Sequence, residues 1–265
     1  MIKSSLRLFY TLCLVLIISA LSNNVIQAQP AGTTNFYNNI KTYNLATLWR
    51  ADRLSLISLK ETKLFPEPLG VLGKNYQRFY IHYTSVVKDA NPYKYNVQGK
   101  TRVGNQVRPF TGTITVTQAG IYKPGNNPYA PEPYKGYKRG TLLCHVAITE
   151  SASTPGSGVI SGELTTSFCI NAQNQLLYDT LDFGEDGYGN NQFTGTWTAQ
   201  GSKAVQKLQY GDITIQGSEF SDVDGITVPA KYEKYGWQNF VKAIPSDLGP
   251  ATKAAIAEEK RQWWK

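Results

Sequence analysis

The chain has 265 residues, 41% of them apolar and 17% charged, with 27 basic against 19 acidic side chains. That apolar share excludes a disordered polyelectrolyte, and the length supplies one sizeable core with no linker to divide it. No block of five like charges occurs, which argues against a dedicated polyanion surface, so no nucleic-acid partner is expected.

Lys3 and Arg7 precede an apolar run of 14 residues from Leu8 to Leu21, then polar residues and Ala28. A spanning helix needs about 20 residues, so residues 1–28 read as a cleaved signal peptide. A single domain over 29–265 follows, secreted or periplasmic, with no membrane span after cleavage. Cleavage removes two basic and no acidic residues, leaving 25 against 19 and a net charge of +6. Cys144 and Cys169 remain in a compartment that permits disulfides. In a hairpin that joins strands 141–150 and 159–170 around the STPGSG turn, with residue 150 facing 159, Cys144 falls opposite Thr165, four residues short of Cys169. Four residues span about 13 Å, too far for a disulfide unless the register slips or bulges.

Residues 33–60 mix helical spacing at Phe36, Ile40 and Tyr43 with a strand-like LSLISL. The segment LFPEPLGVLG (64–73) reads as an extended loop because Pro66 and Pro68 interrupt it. From Arg78 onward the chain is written in strands: RFYIHYTSVVK, YNVQGKTR, VRPFTGTITVTQ, GTLLCHVAITE, VISGELTTSFCI, NQLLYDTLDF, NQFTGTWTAQ and a shorter GDITIQG. Gly104-Asn105 marks a two-residue hairpin. Gly99, Gly112, Gly162 and Gly195 each follow an apolar residue by two positions, so they share its face and mark creases where a strand coils sharply. Two C-terminal segments have helix formers: one begins at Pro229, and another at Pro250 carries Ile256 and Trp263 seven apart. The expected fold is all-β: an antiparallel up-and-down meander of about eight strands closing into a lipocalin- or avidin-like barrel, with peripheral C-terminal helices as a packing skirt. Leu142–Ile148 is apolar on both faces, which argues against insertion as a membrane barrel.

Chemistry is harder to find. Two histidines, His82 and His145, exclude a His-rich metal site. Cys144 and His145 are neighbours on a strand and face opposite ways. There is no nucleophile elbow and no phosphate loop. The carboxylates Asp179, Asp182, Glu185 and Asp186, and again Glu219, Asp222 and Asp224, do not fit the calcium-loop template. No catalytic residue, metal ligand or cofactor is assigned. Aromatic residues are abundant, with 17 tyrosines and five tryptophans, and flat rings with a polar edge suit hydrophobic or sugar ligands. The loop-like clusters NPYKYN and NPYAPEPYKGYK, together with the strand FTGTWT, nominate Trp197, Tyr93, Tyr95, Tyr129 and Tyr134 as ligand-binding residues.

The stretch FTGTWTAQGS resembles the first strand and turn of avidin-type biotin binders, but that strand should open a barrel and only 65 residues follow Gln200. No biotin-site residue is carried over. Over NYQRFYIHYTSVVKD, YNVQGKTRVGN, DGYGNNQFTGTWT and KYEKYGWQNF the chain resembles a family of exported Bacteroidetes proteins. That resemblance implies export and one β-rich domain, and supplies no catalytic residue. The expected function is a non-enzymatic β-barrel binding a small hydrophobic or carbohydrate ligand. A structural or adhesive envelope component, and a hydrolase using loop carboxylates, stay open.

Overall fold

The computed structural model describes residues 29–123, 136–222, 225–245 and 249–265. The proposed signal peptide, Tyr129 and Tyr134 lie outside the described residues. The N-terminal part holds β1 (Thr33–Asn35), α1 (Tyr37–Ile40), α2 (Ala46–Trp49) and a hairpin of β2 (Arg53–Leu56) with β3 (Glu61–Leu64). Then come β4 (Leu69–Leu72), β5 (Gln77–Lys88), β6 (Lys94–Val103), β7 (Gln106–Tyr122), β8 (Lys138–Glu150), β9 (Gly158–Ile170), β10 (Leu176–Tyr178), β11 (Asn190–Ala199) and β12 (Val205–Asp212). A short hairpin, β13 (Ser221–Asp222) with β14 (Gly225–Ile226), precedes α3 (Ala230–Glu233), α4 (Gln238–Ala243) and α5 (Lys253–Glu259).

Eight strands form a closed antiparallel ring in chain order: β4, β5, β6, β7, β8, β9, β11 and β12, which pairs back onto β4. This is the expected up-and-down meander. Strands β1 and β10 lie off the circuit, pairing with the ends of β7 and β9. Alternation sends Phe79, Ile81 and Tyr83 of β5, Cys144, Val146 and Ile148 of β8, and Leu208 and Tyr210 of β12 into one buried core. An eight-strand ring has an interior that side chains largely fill.

The glycines act through the rings beside them. Gly162 and Gly195 stand opposite one another, and a Cβ on Gly195 would meet the Phe193 ring at 2.6 Å and the Gly162 Cα at 2.7 Å. The ring of Phe193 therefore folds back over two bare backbones, and Phe110 does the same over Gly99.

Four expectations are corrected. Within 64–73, Leu69–Leu72 is not loop but the strand that closes the ring; the prolines stop short of it. NQLLYDTLDF yields only the three residues of β10, because the Asp179 side chain accepts from Leu181 N at 3.0 Å and turns the chain. GDITIQG is not a strand: β12 ends at Asp212, and Ile213 turns the backbone to a φ of 71°. The FTGTWT strand needs no correction: it is β11, seventh around the ring and not its opening strand. At the C-terminus, α5 is capped by Thr252, whose hydroxyl accepts from Ala255 N, and Trp263 lies beyond its end.

The C-terminal helices are a skirt on the outside of β5 and β6. Arg78 points outward and meets Glu259 with two bonds of 2.7 and 2.6 Å, while Arg102 reaches Glu258 at 3.3 Å. Both guanidiniums stack on the Tyr80 ring, which also meets Trp263.

Cys144 and Cys169 are free and buried. The register pairs Cys144 with Leu164, one residue from the turn-centred expectation, and Cys169 with Arg139. Cys144 belongs to the interior core and Cys169 to a separate cluster with Leu181.

Candidate functional site

A cavity of about 720 Å³ opens through the wall of the ring. Its cause is local. Strand β4 pairs with β5 only from Gln77 to Phe79 and with β12 only from Leu208 to Gly211, whereas β5 runs on to Lys88. Pro66 and Pro68 precede β4 and have no N–H to extend either ladder. Beyond Phe79 the wall lacks its eighth strand, and the 64–69 segment and residues 258–264 border the cavity instead.

Ile81, Tyr83, Leu164 and Tyr210 of the interior line this space, as does Trp49, the last residue of α2. The Tyr83 and Tyr210 hydroxyls are hydrogen bonded to each other at 3.0 Å. Deepest in chemical terms is Asp212, at the last position of β12, with no exposed surface. Its Oδ2 accepts from Asn191 Nδ2 at 2.7 Å and from the Tyr178 hydroxyl at 3.0 Å. Its Oδ1 is buried and has no partner. Burial pushes its pKa up to about 7; the Asn191 and Tyr178 hydrogen bonds pull it down, and the Glu67 carboxylate pushes it up.

The backbone around this carboxylate is bent into unusual shape. The β11 register shifts between Asn190 and Phe193, and in that bulge Asn191 adopts a φ of 49°. Its side chain thereby reaches Asp212, the Leu48 carbonyl at 2.8 Å and the Thr166 hydroxyl at 2.8 Å. Trp49 Nε1 donates to the same Thr166 hydroxyl at 3.0 Å. Ile213, a β-branched residue next to Asp212, also has positive φ. Such positions are costly and gather where surrounding structure holds a site in place.

The rim carries a second carboxylate. Glu67 lies 2.9 Å from His82 Nδ1, and the His82 ring stacks on Trp264 at 3.8 Å. His145, by contrast, is exposed on β8.

The three described residues nominated from sequence sit elsewhere. Tyr95 is fully buried in β6, accepts from Leu45 N at 2.9 Å and meets Trp49 edge-on at 5.0 Å. Tyr93 stacks on Tyr37 at 4.2 Å. Trp197, at the other end of β11 from Asn191, donates to Glu150 Oε2 at 3.1 Å. Glu150 is also bonded to Gly158 N and the Thr101 hydroxyl, so this carboxylate is satisfied. None of the three borders the 720 Å³ cavity. Sequence reasoning missed Asp212, Asn191 and Tyr83, although one signal existed. In LQYGD, Leu208, Tyr210 and Asp212 share a face, so an acid stands at an apolar parity.

The loop carboxylates border a smaller cavity of about 420 Å³. There Arg139 holds Asp179 and Asp182, each at 2.7 Å. Among the described residues no cluster of three or more His, Cys, Asp or Glu is placed to hold a metal ion, and no helix is long and apolar enough to cross a membrane.

No protein-family model, curated protein or solved structure matches this chain.

Proposed function

We propose that this chain is an exported binding protein that holds a small ligand with an apolar body in the lateral cavity, where the ligand donates a hydrogen bond to Asp212. The observation that carries this reading is the unpartnered Oδ1 of a fully buried carboxylate bordering that cavity. A buried acceptor left without a donor costs about 1–3 kcal/mol, and more when charged, so a ligand that supplies the donor recovers that cost on binding. The volume suits a small molecule, and aromatic rings with a few polar groups are the usual lining of such sites. A hydrolase built on the loop carboxylates has less support, since Asp179 and Asp182 are committed to Arg139. Export rests on the apolar leader read from the sequence.

Native mass spectrometry of the protein taken from its own cells tests the reading. A bound mass is expected on the wild type and lost in Leu69→Trp, which adds bulk at the cavity border. A bare wild type that also takes up no Nile red defeats the proposal.

A further inference from the structure

We infer that the cavity takes a small organic amine, its ammonium group on Asp212 Oδ1 and its apolar body against Tyr83, Tyr210 and Trp49. The inference rests on the binding reading and adds the ligand's charge.

The argument is one of charge balance. Asp212 forms no salt bridge among the described residues; its protein donors, Asn191 and Tyr178, are neutral and both serve Oδ2. A buried carboxylate lacking a counter-ion is held at a large desolvation cost, which a cation at the free oxygen offsets far better than a neutral donor does. The other charged group acting on Asp212 is Glu67, also an acid and also on the cavity, so it adds to the carboxylate's need for a counter-ion. Of the cations that border the cavity, Arg78 forks onto Glu259, Arg102 reaches Glu258 while stacked 3.9 Å over Tyr80, Arg261 also holds Glu258, and Arg50 and Lys260 are exposed to solvent. An anionic ligand meets two like charges, and a neutral sugar leaves the carboxylate without a counter-ion. An organic ammonium supplies charge, up to three donors and, with the rings nearby, a cation–π contact.

Three indole probes of nearly one shape separate the alternatives by calorimetry at pH 8: tryptamine (cation), tryptophol (neutral) and indole-3-acetate (anion). Tryptamine is expected to bind at least about tenfold tighter than tryptophol, with indole-3-acetate weakest. In Asp212→Asn the tryptamine advantage disappears while tryptophol affinity stays within about twofold. Glu67→Gln, outside the buried network, is expected to reduce the advantage by about threefold, and covers the case in which the Asp212 variant does not fold. Tryptophol binding as tightly as tryptamine overturns the amine inference and leaves the cavity as a binding site. If none of the three binds and Nile red is not taken up, the binding reading itself falls.

Discussion

The side-chain amide of Asn191 lies 2.7 Å from Asp212 Oδ2 and 2.8 Å from the Leu48 carbonyl, so one residue in a strand bulge ties the end of β12 to α2. The buried acid is thus fixed in place by neutral donors, without a positive charge.

Its titration follows from that. A carboxyl whose pKa is raised from 3.8 to about 7 keeps its proton in the folded state while the unfolded chain has released it. The resulting stability is present in acid and is lost as pH rises through the window between those values. The charge of Glu67 raises it further, while the hydrogen bonds from Asn191 and Tyr178 oppose. Asp212→Asn removes the titration, so chemical denaturation is expected to show the variant gaining on the wild type by roughly 2–3 kcal/mol between pH 5 and pH 8. A gap that stays constant with pH means the acid titrates normally.

The paired glycines give a packing test. A Cβ at Gly195 meets the Ser161 carbonyl at 2.3 Å as well as the Phe193 ring, none of which can retreat without moving the sheet. Gly195→Ala is expected to cost about 1–3 kcal/mol. Gly184, with open space around its Cβ position, serves as the control. There alanine changes stability by no more than about 0.5 kcal/mol. Equal melting temperatures for the two variants would show that the creases tolerate bulk.

The skirt hangs on Arg78. Its planar fork meets both oxygens of Glu259 and lies against Tyr80, Trp237 and Phe240. A lysine keeps the charge but neither the fork nor the flat stacking surface. Arg78→Lys is expected to cost roughly 2–4 kcal/mol, with hydrogen exchange accelerating first across residues 253–265. Exchange spread evenly over the ring would place the anchor elsewhere.

Trp197 is bonded through Nε1 to a carboxylate that Gly158 and Thr101 also hold. Replacing it with phenylalanine leaves one bond to Glu150 unmade, at about 1–3 kcal/mol, and is expected to leave tryptamine affinity unchanged. A loss of affinity greater than the loss of stability explains would return this residue to the ligand site.

Both thiols are buried, and burial pushes each well above the ordinary cysteine range. Neither is expected to react with Ellman's reagent at pH 8 in the native chain, and both react in denaturant. Prompt labelling of the native protein contradicts the burial of these residues.

The sequence by itself determined six of the eight ring strands and their order, because alternation and turn residues are local: Gly104-Asn105 sets the β6–β7 hairpin, and apolar parity sets which face of β8 is buried. It misplaced the two strands that flank the cavity. Leu69–Leu72 was hidden by the prolines before it, and Val205–Asp212 by its polar first half. The site itself was decided by tertiary structure. Tyr178 and Asn191 reach Asp212 from 34 and 21 residues away, and the gap beside it arises from the mismatch in length between β4 and β5. A carboxylate's environment is the sum of groups that folding brings together, so the aspartate could be read from the chain while its missing counter-ion could not.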